Sequence, residues 1–261
     1  MPNRWDDFAS IRRVQIETGM DLTFSKVFLP YYIDLVKELR PESLIEVGCG
    51  TGHLSANLIN HVNTAVAIEP SEGMYAVAKQ VIEGSGVQLF RLRAEGYRST
   101  HSFDLIISHM VLQLVDNLEV FIESVAQFMG NQSHFVFTIP HPCFYNDYKK
   151  FFAPSEYHYM KELTKNVSFA VTKDPNTIIS GVPYCHRPLS RYFFVLKKFG
   201  LHIVDFEETF PEPDIQSLYG MEWNYPLYCV FHAQRDKDSS ILKKSERLLP
   251  ADARTSRGWG H

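Results

Sequence analysis

The segment Glu46-Val-Gly-Cys-Gly-Thr-Gly52 places three glycines at alternate positions, directly after a short apolar run at residues 43–45. Glycine adopts backbone conformations that a Cβ atom forbids, and it lets a ligand approach the main chain closely. A helical pattern begins at His53. A strand that turns through glycines into a helix is typical of loops that bind nucleotide-like cofactors. The segment therefore predicts a cofactor loop at residues 46–52.

The exact spacing of the glycines separates two kinds of cofactor. The dinucleotide fingerprint G-x-G-x-x-G would require glycine at position 53, where this chain has His53. The remaining pattern, E-x-G-x-G-x-G, resembles the first motif of the class I S-adenosylmethionine-dependent methyltransferases. This resemblance implies S-adenosylmethionine as the methyl donor and S-adenosylhomocysteine as the product. It places Glu46, Gly48, Gly50 and Gly52 in the cofactor site.

Strand-like and helix-like segments alternate after the loop, which favours a parallel sheet with right-handed crossovers. Strands are predicted at 43–47, 65–69, 87–92, 104–108 and 134–139, and helices at 53–60, 71–83 and 117–129. A later helix at 188–199 and strands at 201–210 and 226–234 complete the pattern. It resembles the doubly wound, mostly parallel seven-stranded sheet of the class I methyltransferases, an α/β, Rossmann-like fold whose last strand is antiparallel.

The chain divides into four predicted regions. Residues 1–40 form an amino-terminal helical cap, and residues 41–234 form the methyltransferase domain. Within that domain, residues 141–187 form an aromatic-rich lid insertion after the fifth strand. In the lid, the four residues Lys-Asp-Pro-Asn are predicted to join two β-rich runs as a hairpin turn. Residues 235–261 form a polar tail that we expect to be flexible.

Helix starts are predicted from capping residues. Ser71 and Asp116 are expected to be N-caps, with Glu119 as the capping-box partner of Asp116. An apolar stripe predicts a helix over residues 23–39, in which Pro30 marks a kink or a fresh start.

Further cofactor contacts are expected beyond the loop. Glu69 lies near the end of the second strand, where nucleotide-binding folds place an acid that accepts the ribose hydroxyls. The resemblance adds five residues near strand ends around the adenosine, namely Pro70, Met74, Ala94, Glu95 and Ser108. Alternatives stay open for two of them, because Met74 could be a core residue and Glu95 a solvated loop residue.

Histidine is the natural general base at neutral pH, because its unperturbed pKa lies close to 7. His141 is the first candidate for the base or the acceptor-orienting group, followed by His109 and His186. His141 could instead bond a backbone carbonyl and shape its loop, His186 could fix the hinge of the hairpin, and His109 could pack against the methionine end of the cofactor. His141, Cys143, Cys185 and His186 are also zinc-ligand types, but the H-x-C and C-H spacings are poor for a zinc site. We therefore predict no metal.

The aromatic insertion admits two interpretations, a lid over an apolar or planar acceptor and a small core of its own. Residues expected to contact the acceptor are Tyr32, Phe144, Tyr145, Tyr184 and Arg187. The four cysteines form no C-x-x-C pair, and no apolar run is long enough to span a bilayer. A cytoplasmic monomer or homodimer without a membrane partner is expected.

The sequence predicts transfer of a methyl group to an oxygen or nitrogen of a small-molecule acceptor, with oxygen slightly favoured by the available histidines and transfer to carbon left open. The net charge of −4 argues against a broad nucleic-acid surface. Two alternatives remain open. One is an RNA methyltransferase, which would need a basic face with stacking aromatics. The other is a non-catalytic subunit that binds S-adenosylmethionine.

Overall fold

The structure, a computed structural model, describes residues 4–235 of the chain; of the tail predicted at 235–261, all but its first residue, Arg235, lies outside the described residues. Its strands are β1 (Ser43–Val47), β2 (Thr64–Ile68), β3 (Gln88–Phe90), β4 (Phe103–His109), β5 (Met129–Pro140), β6 (Leu163–Val171), β7 (Asp174–His186), β8 (Leu201–Thr209) and β9 (Tyr228–Arg235). Its helices are α1 (Ala9–Glu17), α2 (Leu29–Leu39), α3 (His53–Leu58), α4 (Glu72–Val81), α5 (Leu118–Gln127), α6 (Tyr145–Lys149), α7 (Leu189–Lys198) and α8 (Pro213–Leu218).

Seven strands form one sheet in the order β3-β2-β1-β4-β5-β9-β8, and β6 and β7 form a separate two-stranded sheet. Strand β9 runs antiparallel to both β5 and β8. The order reverses at β1, which pairs in parallel with β2 on one side and β4 on the other. The predicted doubly wound, mostly parallel sheet is therefore confirmed, and β1 stands at the switch point where open α/β sheets bind ligands.

Successive residues of the central strands face opposite layers, because side chains alternate along a strand. In β1, Leu44 packs with Phe28 and Val36 of the amino-terminal helices, whereas Ile45 packs with helices α5 and α7. Both residues have no exposed surface. The near-continuous apolar run of β1 thus reflects a strand covered on both faces.

Two local predictions were wrong. Asn117, and not Asp116, caps α5: its side chain accepts a hydrogen bond from the Val120 N–H at 3.2 Å. Glu119 bonds to Arg191 and Lys198 in place of the predicted capping box.

The turn between β6 and β7 consists of residues 172–173, whereas residues 173–176 were predicted to form it. The Asp-Pro-Asn segment that follows the turn belongs to β7. Proline is tolerated there because a two-stranded sheet has only edge strands.

The amino-terminal region contains more helix than the sequence indicates. Residues Arg4–Phe8 form a 3₁₀ turn and are followed directly by α1; neither was predicted. Residues Thr23–Phe28 form a wide π-helical segment that runs into α2, with Pro30 in its first turn. Proline has no N–H to donate and fits the first turn of a helix, so the predicted fresh start falls at this junction.

The aromatic insertion between β5 and α7 folds as α6 and the β6–β7 hairpin around its own cluster of buried residues. This cluster comprises Tyr145, Phe152, Val167, Ile179, Val182, Tyr184 and Leu227. Within residues 4–235, none of the helices has the length and apolar character needed to cross a bilayer.

Candidate functional site

The glycine loop between β1 and α3 uses its glycines for two purposes. Gly48, Gly50 and Gly52 all have positive φ angles of 81°, 55° and 79°. A Cβ atom on Gly48 would lie 2.6 Å from Val111 Cγ2, and one on Gly52 would lie 3.1 Å from Ala78 Cβ, so these two permit close packing. A Cβ atom on Gly50 would meet nothing within 4 Å. Gly50 therefore leaves its backbone open to a ligand.

Glu69 follows β2 and joins that strand to the glycine loop. Its Oε2 accepts a hydrogen bond from the Gly50 N–H at 2.8 Å, and its Oε1 accepts one from the Ser71 N–H at 2.8 Å. The side chain is buried. Burial raises the pKa of Glu69 to about 7, although both backbone bonds favour the charged form. Each oxygen keeps a further lone pair for a ligand donor.

Glu46 lies at the other side of the loop and holds the start of α3. Its Oε2 accepts hydrogen bonds from the Ser55 N–H, at 3.0 Å, and from the Ser55 hydroxyl. Burial raises the pKa of Glu46 to about 8, and the nearby Glu69 charge acts in the same direction. The cofactor end of the site thus contains two buried carboxyl groups with high pKa values.

The amino-terminal segment packs on the start of α4. Ser71 caps α4 as predicted, accepting from the Met74 N–H at 3.1 Å. Asp6 in turn accepts from the Ser71 hydroxyl at 2.6 Å and from the Gly73 N–H at 3.0 Å. A carboxylate at a helix N-terminus satisfies free N–H groups and complements the helix dipole. The unpredicted first turn is therefore fastened beside the cofactor loop.

A single cavity of about 1050 Å³ extends from the glycine loop to the β6–β7 hairpin. Eleven of the predicted site residues line it: Glu46, Gly48, Gly50, Glu69, Pro70, Met74, Ala94, Glu95, His109, Tyr145 and Tyr184. The fold thus brings the cofactor candidates at the carboxyl ends of β1, β2 and β3 together with the catalytic candidate His109, at the end of β4, and two tyrosines of the insertion.

His109 is the only one of the three candidate histidines that lines this cavity. Thr138 Oγ1 receives hydrogen bonds from the Met110 N–H, at 3.2 Å, and from the Tyr32 hydroxyl, at 3.4 Å. Its own hydrogen therefore points to His109 Nδ1, 2.7 Å away. This leaves the His109 proton on Nε2. Burial lowers the pKa of His109 to about 4, so the ring is neutral at pH 7.

The other two candidate histidines lie outside the cavity lining. His141 Nδ1 accepts from the Cys143 N–H at 3.2 Å, so its Nε2–H donates to Glu208 of β8 at 2.9 Å. His186 Nε2 lies 2.9 Å from the Tyr159 carbonyl oxygen and bonds to it. His141 therefore holds the start of the insertion and His186 holds its end. Both serve the structural role that the sequence offered as an alternative to catalysis.

Five further predicted site residues lie outside the lining, namely Gly52, Ser108, Tyr32, Phe144 and Arg187. Ser108 donates to the Val47 carbonyl oxygen at 3.0 Å between adjacent strands, and the Tyr32 side chain has no exposed surface. The buried Arg187 guanidinium donates to the carbonyl oxygens of Leu112, Val115 and Asp116. Arg187 therefore positions the loop after β4 and does not itself reach the cavity.

Sequence reasoning missed several polar groups of the cavity. Asp21 and Arg12 line it as an ion pair with a 2.5 Å contact. Burial opposes ionisation of Asp21, but the Arg12 charge and hydrogen bond outweigh it and lower its pKa. Lys149 of α6 also lines the cavity. These residues lie far from the recognised motifs in sequence, and only the folded insertion and amino-terminal segment bring them in. Across residues 4–235, no three His, Cys, Asp or Glu side chains are arranged to hold a metal ion.

Comparison with known proteins gives one family match and one curated relative. Residues 45–137 match the family model described as "Methyltransferase domain". An uncharacterized methyltransferase from Oceanobacillus iheyensis is 38% identical over 69 residues, which cover 26% of this chain and 32% of that protein. The match thus spans about a third of the relative's length.

Solved structures share the fold at lower identity. One from Listeria monocytogenes, titled a putative S-adenosylmethionine-dependent methyltransferase, has a TM-score of 0.63 at 18% identity and covers 81% of this chain and 99% of its own. The 1,6-didemethyltoxoflavin-N1-methyltransferase of Burkholderia thailandensis, solved with its acceptor and S-adenosylhomocysteine, has a TM-score of 0.53 at 13% identity, covering 88% and 87%. Together with the glycine loop and the strand order, these matches show that the chain has the fold of the class I, S-adenosylmethionine-dependent methyltransferases and that residues 45–137 are similar to a methyltransferase domain.

Proposed function

We propose that the protein binds S-adenosylmethionine and transfers its methyl group to an oxygen or nitrogen of a small-molecule acceptor. The observation that carries this proposal is the continuity of one cavity, which joins the glycine loop to the aromatic insertion. Donor and acceptor must meet in one enclosed space, because methyl transfer needs the nucleophile aligned behind the methyl group.

The residues at the cofactor end fit this donor. Gly50 offers an open backbone with a positive φ angle, and Glu69 offers carboxylate lone pairs for the ribose hydroxyls. Gln113 Oε1 lies in the same lining, buried and with no hydrogen-bond partner among the described residues, so it can accept a ligand N–H. Pro70, Met74 and Ala94 add apolar surface suited to an adenine ring.

When bound, the cofactor supplies a methyl group already activated by its sulfonium. The chain's own residues have to exclude water and orient the acceptor, which reacts through the lone pair of a neutral amine or of a hydroxyl that is already ionised, so its proton goes to the solvent. The neutral His109 ring presents Nε2–H, because Nδ1 is occupied by the Thr138 hydroxyl. We therefore assign His109 as a donor that orients the acceptor, in place of the base expected at His141.

Two features favour a small acceptor over RNA. The net charge is −4, and Arg12, one of the cationic residues in the lining, is neutralised by Asp21. RNA binding relies on positive surface that tracks the phosphate backbone. The acceptor end is instead enclosed by Tyr145, Tyr148 and Tyr184. A cytoplasmic location belongs to the same proposal and agrees with the four free cysteines.

A labelling experiment tests the proposal against its alternatives. The protein is incubated with S-adenosylmethionine labelled in the methyl group, together with either a cell extract filtered below about 1 kDa or purified total RNA. We expect label in the small-molecule fraction and none in RNA. Label in RNA would favour the RNA methyltransferase, and cofactor binding without transfer to either pool would favour the non-catalytic subunit. Glu69→Ala serves as the control with a weakened cofactor site.

A further inference from the structure

We propose that the acceptor is a flat aromatic carboxylate, bound with its rings among the aromatic side chains of the insertion and its carboxylate at Lys149. This inference rests on the proposed function and names the substrate class of the same cavity. It is carried by two observations, the aromatic walls of the acceptor end and a cation there without a carboxylate partner.

The walls consist of rings held rigidly by one another. Tyr145 and Tyr184 lie nearly parallel at 28°, with centroids 6.2 Å apart, and Phe151 meets Tyr184 edge-on at 5.0 Å. Tyr228 packs against Tyr145 at 5.6 Å. All four line the cavity. Ring faces and edges fixed in this way offer flat apolar surface, which a planar aromatic ligand covers better than a flexible chain does.

Lys149 places a positive charge without a carboxylate partner beside these aromatic walls. Its Nζ lies 4.5 Å from the Tyr148 ring centroid and donates to the Ala170 carbonyl oxygen at a long 3.4 Å. Among the described residues, no carboxylate oxygen lies within 4.0 Å of it. Burial lowers the pKa of Lys149. A partly buried cation in such surroundings is costly alone and is stabilised by a bound anion.

The neighbouring Lys150 has the ordinary arrangement of a surface lysine, in which the ammonium is exposed and paired with a carboxylate. Lys150 is exposed and lies 3.7 Å from the Asp147 carboxylate, outside the cavity lining. Arg12, the other cation considered above, is already neutralised by Asp21. Because Lys149 is a single point charge and not an arginine fork, it can hold one anionic group of a ligand without imposing a bidentate geometry.

Binding of matched acids and amides tests the inference. Calorimetry is run with protein saturated with S-adenosylhomocysteine. The probes are 4-hydroxybenzoate, indole-3-acetate and 1-hydroxy-2-naphthoate, each compared with its carboxamide, which keeps the shape and removes the charge. We expect at least one acid to bind the wild type about tenfold more tightly than its amide, as for a hydrogen bond to a charged group. This preference should fall below about twofold in Lys149→Met and persist in Lys150→Met.

The outcomes separate this inference from the proposed function. If S-adenosylhomocysteine binds but no acid is preferred over its amide, or if Lys149→Met keeps the preference, the aromatic carboxylate is contradicted while the cofactor site stands. If S-adenosylhomocysteine itself does not bind, the proposed function fails, and this inference fails with it. Thermal unfolding of each variant confirms that it is folded before binding is compared.

Discussion

The Glu69 carboxylate accepts a hydrogen bond from the Gly50 backbone N–H at 2.8 Å, so the residue after β2 holds the middle of the glycine loop. The same carboxylate bonds the Ser71 N–H at the start of α4. Three segments of the cofactor end therefore meet at one buried side chain.

Glu69→Gln should weaken binding of S-adenosylhomocysteine about 10–100-fold, because a charged acceptor of ligand hydroxyls is replaced by a neutral amide. Titration calorimetry measures the effect. Glu72→Gln is the matched control, since Glu72 is exposed on α4 and pairs with Arg91 at 3.1 Å. An unchanged dissociation constant in Glu69→Gln would remove Glu69 from the ligand contacts.

The affinity of the wild type for S-adenosylhomocysteine should rise with pH. Burial raises the pKa of Glu69 to about 7, so the free protein carries a protonated carboxyl below that pH. Ligand hydroxyls bond better to the ionised form, and binding must therefore release a proton at low pH. We expect the dissociation constant to fall between pH 6 and pH 8 and then level off. A profile as flat as that of Glu69→Gln would contradict this linkage.

Glu46→Gln should change how stability depends on pH. The folded pKa of Glu46 is about 8, above the ordinary glutamate value of 4.5, so the folded state keeps the proton up to a higher pH than the unfolded state does. The wild type therefore loses stability as pH rises from about 4.5 to about 8. Glutamine keeps an acceptor for Ser55 and has no proton to lose.

Urea unfolding of Glu46→Gln and the wild type at pH 5 and pH 8 measures this difference. Relative to the wild type, the variant should gain at least about 1 kcal/mol on going from pH 5 to pH 8. The contribution of Glu69 is present in both proteins and cancels. An equal stability difference at the two pH values would show that Glu46 titrates normally.

Gly48→Ala should destabilise the protein by about 2–4 kcal/mol, the sum of left-handed backbone strain and a steric clash. The added Cβ would lie 2.6 Å from Val111 Cγ2. Gly84→Ala is the matched control, because Gly84 has φ +73° but a Cβ there meets nothing within 4 Å. It should cost only about 1–2 kcal/mol. Chemical denaturation measures the free energy of unfolding of both variants. Adding Val111→Ala to Gly48→Ala should recover part of the lost stability, because it removes the side chain that the new Cβ meets. Equal costs at both glycines would contradict the close packing.

Arg187→Lys should destabilise the fold by about 1–3 kcal/mol, because an ammonium cannot satisfy three carbonyl oxygens that a guanidinium fork reaches together. Arg187 also pairs with Glu162 at 3.1 Å. Urea unfolding gives the stability, and Lys79→Arg provides an exposed reference substitution. A loss below about 0.5 kcal/mol would mean that the loop after β4 is held by other contacts.

The cofactor half of the site could be predicted from sequence because its residues are local to strand ends. Gly50 and Glu69 lie 19 positions apart, and strand order alone brings them together. The acceptor half could not be predicted in the same way. Lys149 and Asp21 reach the cavity only through the folding of the insertion and the amino-terminal segment, and neither the helical stripe at 23–39 nor the predicted hairpin indicates where these segments pack on the sheet. His141 was expected at the mouth of the sheet, but Glu208 of β8 holds it away from the cavity lining.

The central claim is that the cavity beside Gly50 and Glu69 is an S-adenosylmethionine site, and the most direct test is calorimetric titration of the purified protein with S-adenosylhomocysteine. The account predicts one site per chain with a dissociation constant in the micromolar range, and a marked loss of affinity in Glu69→Gln. Absence of binding at millimolar S-adenosylhomocysteine by the folded protein would contradict it.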